Sequence, residues 1–212
     1  MFPALYAILD LGPNQSPESA ISLSEKLARA GVRLMQVRAK NFGPAAYLEI
    51  ARRAVDSTAH AGVRMVINDR PDVAALSGSA GVHLGQEDVP VEAARATCKA
   101  SLWVGVSTHN VAQLEAAVAT SADYIAVGPI FATHSKENPD PVVGLELLRR
   151  ARTMTSKPIV AIGGITIESA ADVFAAGADS VAVISDIARA ANPGERAARY
   201  LEIASNARAA RN

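Results

Sequence analysis

The chain has 212 residues, with 21 basic and 21 acidic side chains, so its formal net charge is zero. Half of the residues are apolar, which excludes a disordered chain and provides material for a substantial core. The charge balance argues against a nucleic-acid-binding protein, and no apolar run approaches the ~18 residues that a membrane span needs. With one cysteine and no secretory leader pattern at the start, we expect a cytoplasmic protein.

Short apolar runs, typical of strands buried on both faces, alternate along the chain with longer amphipathic runs typical of helices. The predicted strands are Leu5–Leu9, Leu34–Val37, Arg64–Ile67, Gly81–Leu84, Trp103–Val106, Tyr124–Val127, Pro158–Ile162 and Ser180–Ile184. The predicted helices between them include Ser22–Ala30, Ala45–His60 and Leu145–Met154.

The repeated strand and helix units predict an α/β protein, a (β/α)8 TIM barrel that forms a single domain over residues 1–212. An open doubly wound sheet is the alternative. It is less favoured because no Gly-x-Gly-x-x-Gly motif follows the first strand. In a barrel, functional residues are expected just after the strands, at the rim where their carboxyl ends meet.

Polar residues do follow the predicted strands. Alternation along the second strand places Gln36, Arg38 and Lys40 on one side, where two cations suit a polyanionic ligand. A solvated charged edge is the alternative, although no acid that could pair with either cation lies nearby in the sequence.

Two aspartates, Asp69 and Asp88, follow the third and fourth strands. Neighbouring strand ends would let both carboxylates face one ion, and Mg²⁺ prefers one or two carboxylates together with phosphate oxygens and water. Alternatively, each aspartate could cap the helix that follows it.

The remaining strand ends carry hydroxyl groups and glycines. Ser107 ends the fifth strand, and a long loop from Gly128 to Pro141 follows the sixth. Gly163-Gly164 and Ser185 follow the last two strands, whose loops in barrels commonly bind phosphate. His83 lies within the fourth strand and is predicted to be a hydrogen-bonded interior side chain.

Taken in order along nearly the whole chain, these motifs resemble the thiamine-phosphate synthase family. The motifs are Gln36–Lys40, Ile67–Arg70, Gly81–Asp88, Gly105–His109, Gly128–Phe131 with Thr133–Lys136, Ala161–Ile165 and Ile184–Ser185. The resemblance implies a transferase that condenses a hydroxymethylpyrimidine diphosphate with a thiazole phosphate and releases diphosphate. It also implies a Mg²⁺ cofactor and a dissociative mechanism, in which the thiazole nitrogen attacks a pyrimidine methyl cation.

By the same resemblance, Asp69 and Asp88 would bind Mg²⁺. Residues implied to hold the pyrimidine diphosphate are Gln36, Val37, Arg38, Ala39, Lys40, Asn68, Ser107 and Lys136, among which Arg38, Lys40, Ser107 and Lys136 would be catalytic. Residues implied to hold the thiazole phosphate are Thr133, His134, Ser135, Gly164, Ile184 and Ser185. Ala39 departs from the family's frequent acid and Ser135 from its frequent threonine, and neither change undermines the assignment.

Two alternatives stay open at this point. A thiazole tautomerase on the same scaffold would need the phosphate site but no site for a magnesium diphosphate. The other alternative is a non-catalytic barrel that binds phosphorylated ligands, against which the full set of charged site residues argues. The partners expected are small-molecule substrates, and the sequence does not exclude a homo-oligomer.

Overall fold

The computed structural model describes residues 1–12, 15–98, 102–133 and 140–210. Its strands are β1 (Leu5–Asp10), β2 (Leu34–Arg38), β3 (Arg64–Asn68), β4 (Gly81–Leu84), β5 (Trp103–Thr108), β6 (Tyr124–Val127), β7 (Ile159–Ile162) and β8 (Ser180–Val183). They pair in parallel in chain order, and β1 also pairs with β8, which closes the barrel. The predicted (β/α)8 fold is therefore confirmed.

Helices follow the strands on the outside of the barrel. They are α1 (Pro17–Arg29), α2 (Pro44–Thr58), α3 (Pro71–Ser77), α4 (Val91–Thr97), α5 (Val111–Ala119), α6 (Gly144–Met154), α7 (Ala170–Ala175), α8 (Ser185–Ala188) and α9 (Pro193–Ala209). Within the described ranges, no helix is both long and apolar enough to cross a membrane.

Local chemistry explains where several helices begin. Proline occupies the first turn of α1, α2, α3 and α9, where its missing N–H costs no hydrogen bond. The side chains of Ser16, Asn110 and Asn192 each accept a hydrogen bond from the backbone N–H three residues further on.

Six strand boundaries differ from the prediction: β1, β2, β3 and β5 end one or two residues later, and β7 and β8 are each one residue shorter. Pro158 precedes β7, because proline has no N–H to contribute to the sheet. Ile184 lies beyond β8 with φ −111° and ψ −82°, and it forms the N-cap of α8. All of these differences are short, and they leave the order of the elements unchanged.

The core has two layers. The larger layer lies between the barrel and its helices and includes Leu27, Ile50 and Phe174. The smaller layer fills the barrel interior with side chains from alternate strand positions: Tyr6, Ile8, Leu34, Val66, Tyr124, Ala126, Val160 and Ala182. Because the strands are parallel, all their carboxyl ends reach one rim above this inner layer.

Candidate active site

Both predicted cations reach this rim, but each has an acidic partner. Arg38 at the end of β2 forms an ion pair with Asp10 at the end of β1, with 2.5 Å between Nη1 and Oδ1. Lys40 Nζ lies 2.9 Å from Asp69 Oδ2. No acid lies near either cation in the sequence, and both partners come instead from strands that are distant in the chain.

Asp69 and Asp88 lie beside one another, as the sequence predicted. Asp69 adopts φ +61°, in the left-handed region, and its N–H donates to the carbonyl of His83 at 2.8 Å. Asp88 Oδ2 accepts a hydrogen bond of 2.6 Å from the N–H of Gly85. Burial raises the pKa of Asp88, and the adjoining Asp69 carboxyl raises it further, against the lowering effects of Gly85 and Lys40.

Neither aspartate is the N-cap of the following helix. Arg70 is the N-cap of α3 and Pro90 that of α4. Among the described residues, no group of three or more His, Cys, Asp or Glu side chains could hold a metal alone. Proteins usually bind Mg²⁺ through one or two carboxylates, and phosphate oxygens and water supply the other ligands. Two adjacent carboxylates therefore still fit a magnesium site.

The rest of the predicted Gln36–Lys40 segment alternates between the two core layers. Gln36 is buried inside the barrel, where its Nε2 donates to the Tyr6 hydroxyl at 2.8 Å. The side chains of Val37 and Ala39 pack in the outer core, so only their backbone atoms could reach a ligand.

Sequence reasoning missed Tyr47, a buried residue of α2 that joins the ends of two strands. Its hydroxyl donates to the carbonyl of Val37 at 2.8 Å and accepts from the N–H of Asn68 at 3.1 Å. Asn68 itself is 8% exposed at the rim. Tyr47 therefore fixes the positions of Asn68 and the neighbouring Asp69 from outside the barrel.

His83 is confirmed as a hydrogen-bonded interior side chain. Its Nε2 lies 2.9 Å from Ser107 Oγ, and its Nδ1 lies 3.0 Å from the hydroxyl of Tyr124. The amide of Gln86 also donates to the carbonyl of Ser107, at 2.5 Å. Ser107 is thus held from two sides at the end of β5.

The opposite part of the rim has the backbone features of a phosphate site. Gly163 and Gly164 adopt φ +100° and +63°, and a Cβ on Gly164 would lie 2.4 Å from the carbonyl oxygen of Ala132. Ile184 and Ser185 lie where β8 passes into α8. Thr133 is partly buried at the end of the described loop, whereas His134, Ser135 and Lys136 lie outside the described residues.

Fold and rim together define a (β/α)8-barrel enzyme with a charged site at the carboxyl ends of its strands. A sequence model described as thiamine monophosphate synthase matches residues 5–187. A thiamine-phosphate synthase of Koribacter versatilis is 46% identical over 204 residues, which cover 95% of each chain. The chain therefore belongs to the thiamine monophosphate synthase family, as its motifs predicted.

Two further comparisons agree. A thiamine-phosphate synthase of Gloeobacter violaceus is 43% identical over 182 residues, which cover 86% of this chain and 53% of that relative. This chain thus spans about half of the length of that relative. The solved thiamine phosphate pyrophosphorylase from Pyrococcus furiosus superposes with a TM-score of 0.85 at 31% identity, covering 96% of each chain. These findings support the predicted transferase of thiamine biosynthesis and do not favour the tautomerase.

Proposed function

We propose that this rim joins a hydroxymethylpyrimidine diphosphate to a thiazole phosphate, giving thiamine phosphate and diphosphate. The observation that carries the proposal is the placement of Asp69 and Asp88 side by side, with Lys40 bonded to Asp69. A site for a magnesium diphosphate needs such a mixture of carboxylates and cations. A tautomerase would not need a site for a magnesium diphosphate.

The chemistry begins when the carbon–oxygen bond of the hydroxymethyl diphosphate breaks, with its electron pair leaving on the diphosphate. The thiazole nitrogen then forms a bond to the resulting pyrimidine methyl cation. These steps require stabilisation of the leaving charge and a correctly placed nucleophile, and little proton transfer.

Arg38, Lys40 and Lys136 would supply positive charge to the departing diphosphate, and Ser107 would supply a hydroxyl donor. Asp69 and Asp88 would hold Mg²⁺, which when bound neutralises charge on the phosphate oxygens. Because Asp10 and Asp69 already orient Arg38 and Lys40, less conformational freedom would be lost when the substrate binds.

Gln36, Asn68 and the backbone of Val37 and Ala39 would contact the pyrimidine substrate from β2 and β3. On the other side, the thiazole phosphate would lie against the backbone of Gly164, Ile184 and Ser185. Thr133, His134 and Ser135 would contact it from the loop after β6. The two substrates would then meet above the barrel interior.

Diphosphate release tests the proposal. We expect the chain, both substrates and Mg²⁺ together to release one diphosphate for each thiamine phosphate formed, and the reaction without thiazole phosphate to form no thiamine phosphate. Absence of diphosphate release from the complete mixture would contradict the proposal and favour a tautomerase or a non-catalytic phosphate-binding barrel.

A further inference from the structure

A continuous chain of hydrogen bonds crosses the barrel interior and ends at the rim. Gln36 Nε2 donates to the Tyr6 hydroxyl at 2.8 Å, and the Tyr6 and Tyr124 hydroxyls are 3.1 Å apart. The Tyr124 hydroxyl lies 3.0 Å from His83 Nδ1, and His83 Nε2 lies 2.9 Å from Ser107 Oγ. We call these five residues the interior chain.

The donors in this chain follow from counting protons. The amide nitrogen of Gln36 can only donate, so the Tyr6 oxygen accepts from it. Among the described residues, the other hydrogen-bonding partner of Tyr6 is the hydroxyl of Tyr124. A buried hydroxyl proton without an acceptor costs about 1–3 kcal/mol. Tyr6 therefore donates to Tyr124.

The same argument applies to the next link. The Tyr124 oxygen accepts from Tyr6, so its single proton goes to His83 Nδ1. A neutral imidazole that accepts at Nδ1 carries its proton on Nε2. That proton is donated to Ser107 Oγ, and the proton of Ser107 itself is left for another acceptor.

Burial keeps both tyrosine hydroxyls protonated, and local packing keeps the Tyr124 ring beside His83. Burial raises the pKa of Tyr6 and of Tyr124 far above that of a free phenol, so each hydroxyl keeps its proton. Gly105 makes room for the ring of Tyr124, because a Cβ at that position would lie 2.0 Å from Tyr124 Cζ. The Tyr124 ring also stacks on His83, with 5.5 Å between centroids.

We propose that Tyr6 and Tyr124 hold His83 as its Nε2–H tautomer, so that Ser107 donates its own proton to an anionic oxygen of the substrate. His83 and Tyr124 are thus positioning residues that act through Ser107. The inference rests on the proposed function, which gives Ser107 a diphosphate to bind. The opposite tautomer would require the proton of Ser107 for His83 and would leave only lone pairs towards the diphosphate.

Nitrogen-15 NMR of labelled histidine tests the tautomer without any substrate. We expect His83 to show a protonated Nε2 and an unprotonated Nδ1. Tyr124→Phe removes the donor to Nδ1 and should populate the other tautomer. Tyr200→Phe is the matched control, because it also removes a buried tyrosine hydroxyl, but that hydroxyl bonds to the Ile165 carbonyl and to Asp186, outside the interior chain. A protonated Nδ1 in the wild type, or equal changes in both variants, would overturn the inference.

Calorimetric binding of inorganic diphosphate with Mg²⁺ tests the link to Ser107. We expect Tyr124→Phe and Ser107→Ala each to raise the Kd about tenfold, and the double variant to bind no more weakly than Ser107→Ala. His83→Gln, whose amide can still donate to Ser107, should bind more tightly than His83→Leu. Additive losses in the double variant, or equal binding by the two His83 variants, would contradict the inference.

These measurements separate the inference from the proposed function. If the wild type releases diphosphate from its substrates but His83 is the Nδ1–H tautomer, the inference fails and the function stands. If the wild type releases no diphosphate, the proposed function fails, and the substrate contact of Ser107 fails with it. Thermal unfolding of each variant shows whether a weaker Kd comes from loss of the fold.

Discussion

The guanidinium of Arg38 and the carboxylate of Asp10 face each other across the paired ends of β1 and β2, 2.5 Å apart. Both side chains are about one-fifth exposed, at 21% and 20%. An arginine held in this way presents its remaining N–H groups in a fixed direction, which suits a phosphate group better than a freely rotating side chain. Asp10 therefore belongs to the site through Arg38.

Asp10→Asn is expected to lower kcat/KM for the pyrimidine diphosphate about tenfold, because Arg38 loses its charged anchor. Steady-state release of diphosphate measures this effect. Glu18→Gln is the matched control, since it breaks an ion pair with Arg53 on the outer helices. Equal rates for Asp10→Asn and the control would show that Asp10 does not position Arg38 for the reaction.

Asp69→Asn and Asp88→Asn are each expected to reduce kcat at saturating Mg²⁺ by about a hundredfold or more, since each removes a carboxylate from the proposed metal site. Asparagine is the informative change at position 69, because it tolerates the left-handed backbone at φ +61° and an alanine would add strain. The exposed Asp172 in α7 provides the control Asp172→Asn. An unchanged kcat in both rim variants would refute the metal assignment.

Lys136→Ala is expected to lower kcat by removing positive charge from the departing diphosphate. The measurement is a comparison of kcat and KM for the pyrimidine diphosphate. Lys157→Ala offers a control, because Lys157 bonds to the carbonyl of Thr120 away from the rim. If Lys136→Ala changed KM alone, Lys136 would bind the substrate and the transition state equally well and would not accelerate the departure of diphosphate.

Gly164→Ala is expected to raise KM for thiazole phosphate and to lower the thermal midpoint. Its Cβ would lie 2.4 Å from the carbonyl oxygen of Ala132. Gly62→Ala isolates the backbone contribution, because Gly62 has a similar φ of +65° with nothing within 4 Å of the added Cβ. We expect Gly62→Ala to cost only about 1–2 kcal/mol in the free energy of unfolding, the strain of a Cβ in the left-handed region. Similar losses of stability and equal KM values in both variants would contradict the close packing at Gly164.

The barrel could be predicted because its signals are local. Short apolar runs mark the strands, and small residues mark the turns before them, so the predicted boundaries of β4 and β6 match the structure. Pro158 was wrongly included in the seventh predicted strand. The apolar pattern does not show that proline lacks the N–H that a strand contributes to the sheet. Alternation along β2 also separated Gln36, Arg38 and Lys40 from Val37 and Ala39, whose side chains pack in the outer core.

The pairings across the rim could not be predicted in the same way, because their partners are far apart in the chain. Asp10 and Tyr47 were missed for this reason, although Asp10 continues the inward alternation of Tyr6 and Ile8 on β1. That alternation was the available signal. The bond between Tyr124 and His83 also depends on distant pairing, because the register of β4, β5 and β6 places these two residues on either side of Gly105.

The contact between Gly105 and the ring of Tyr124 limits how this family can diverge. The ring occupies the volume that any larger residue at Gly105 would need, so Gly105 cannot become larger while Tyr124 keeps its ring. Among relatives we therefore expect these two sites to covary, with a bulkier residue at the first accompanied by a smaller one at the second. Natural sequence variation would then record the interior packing that supports the rim.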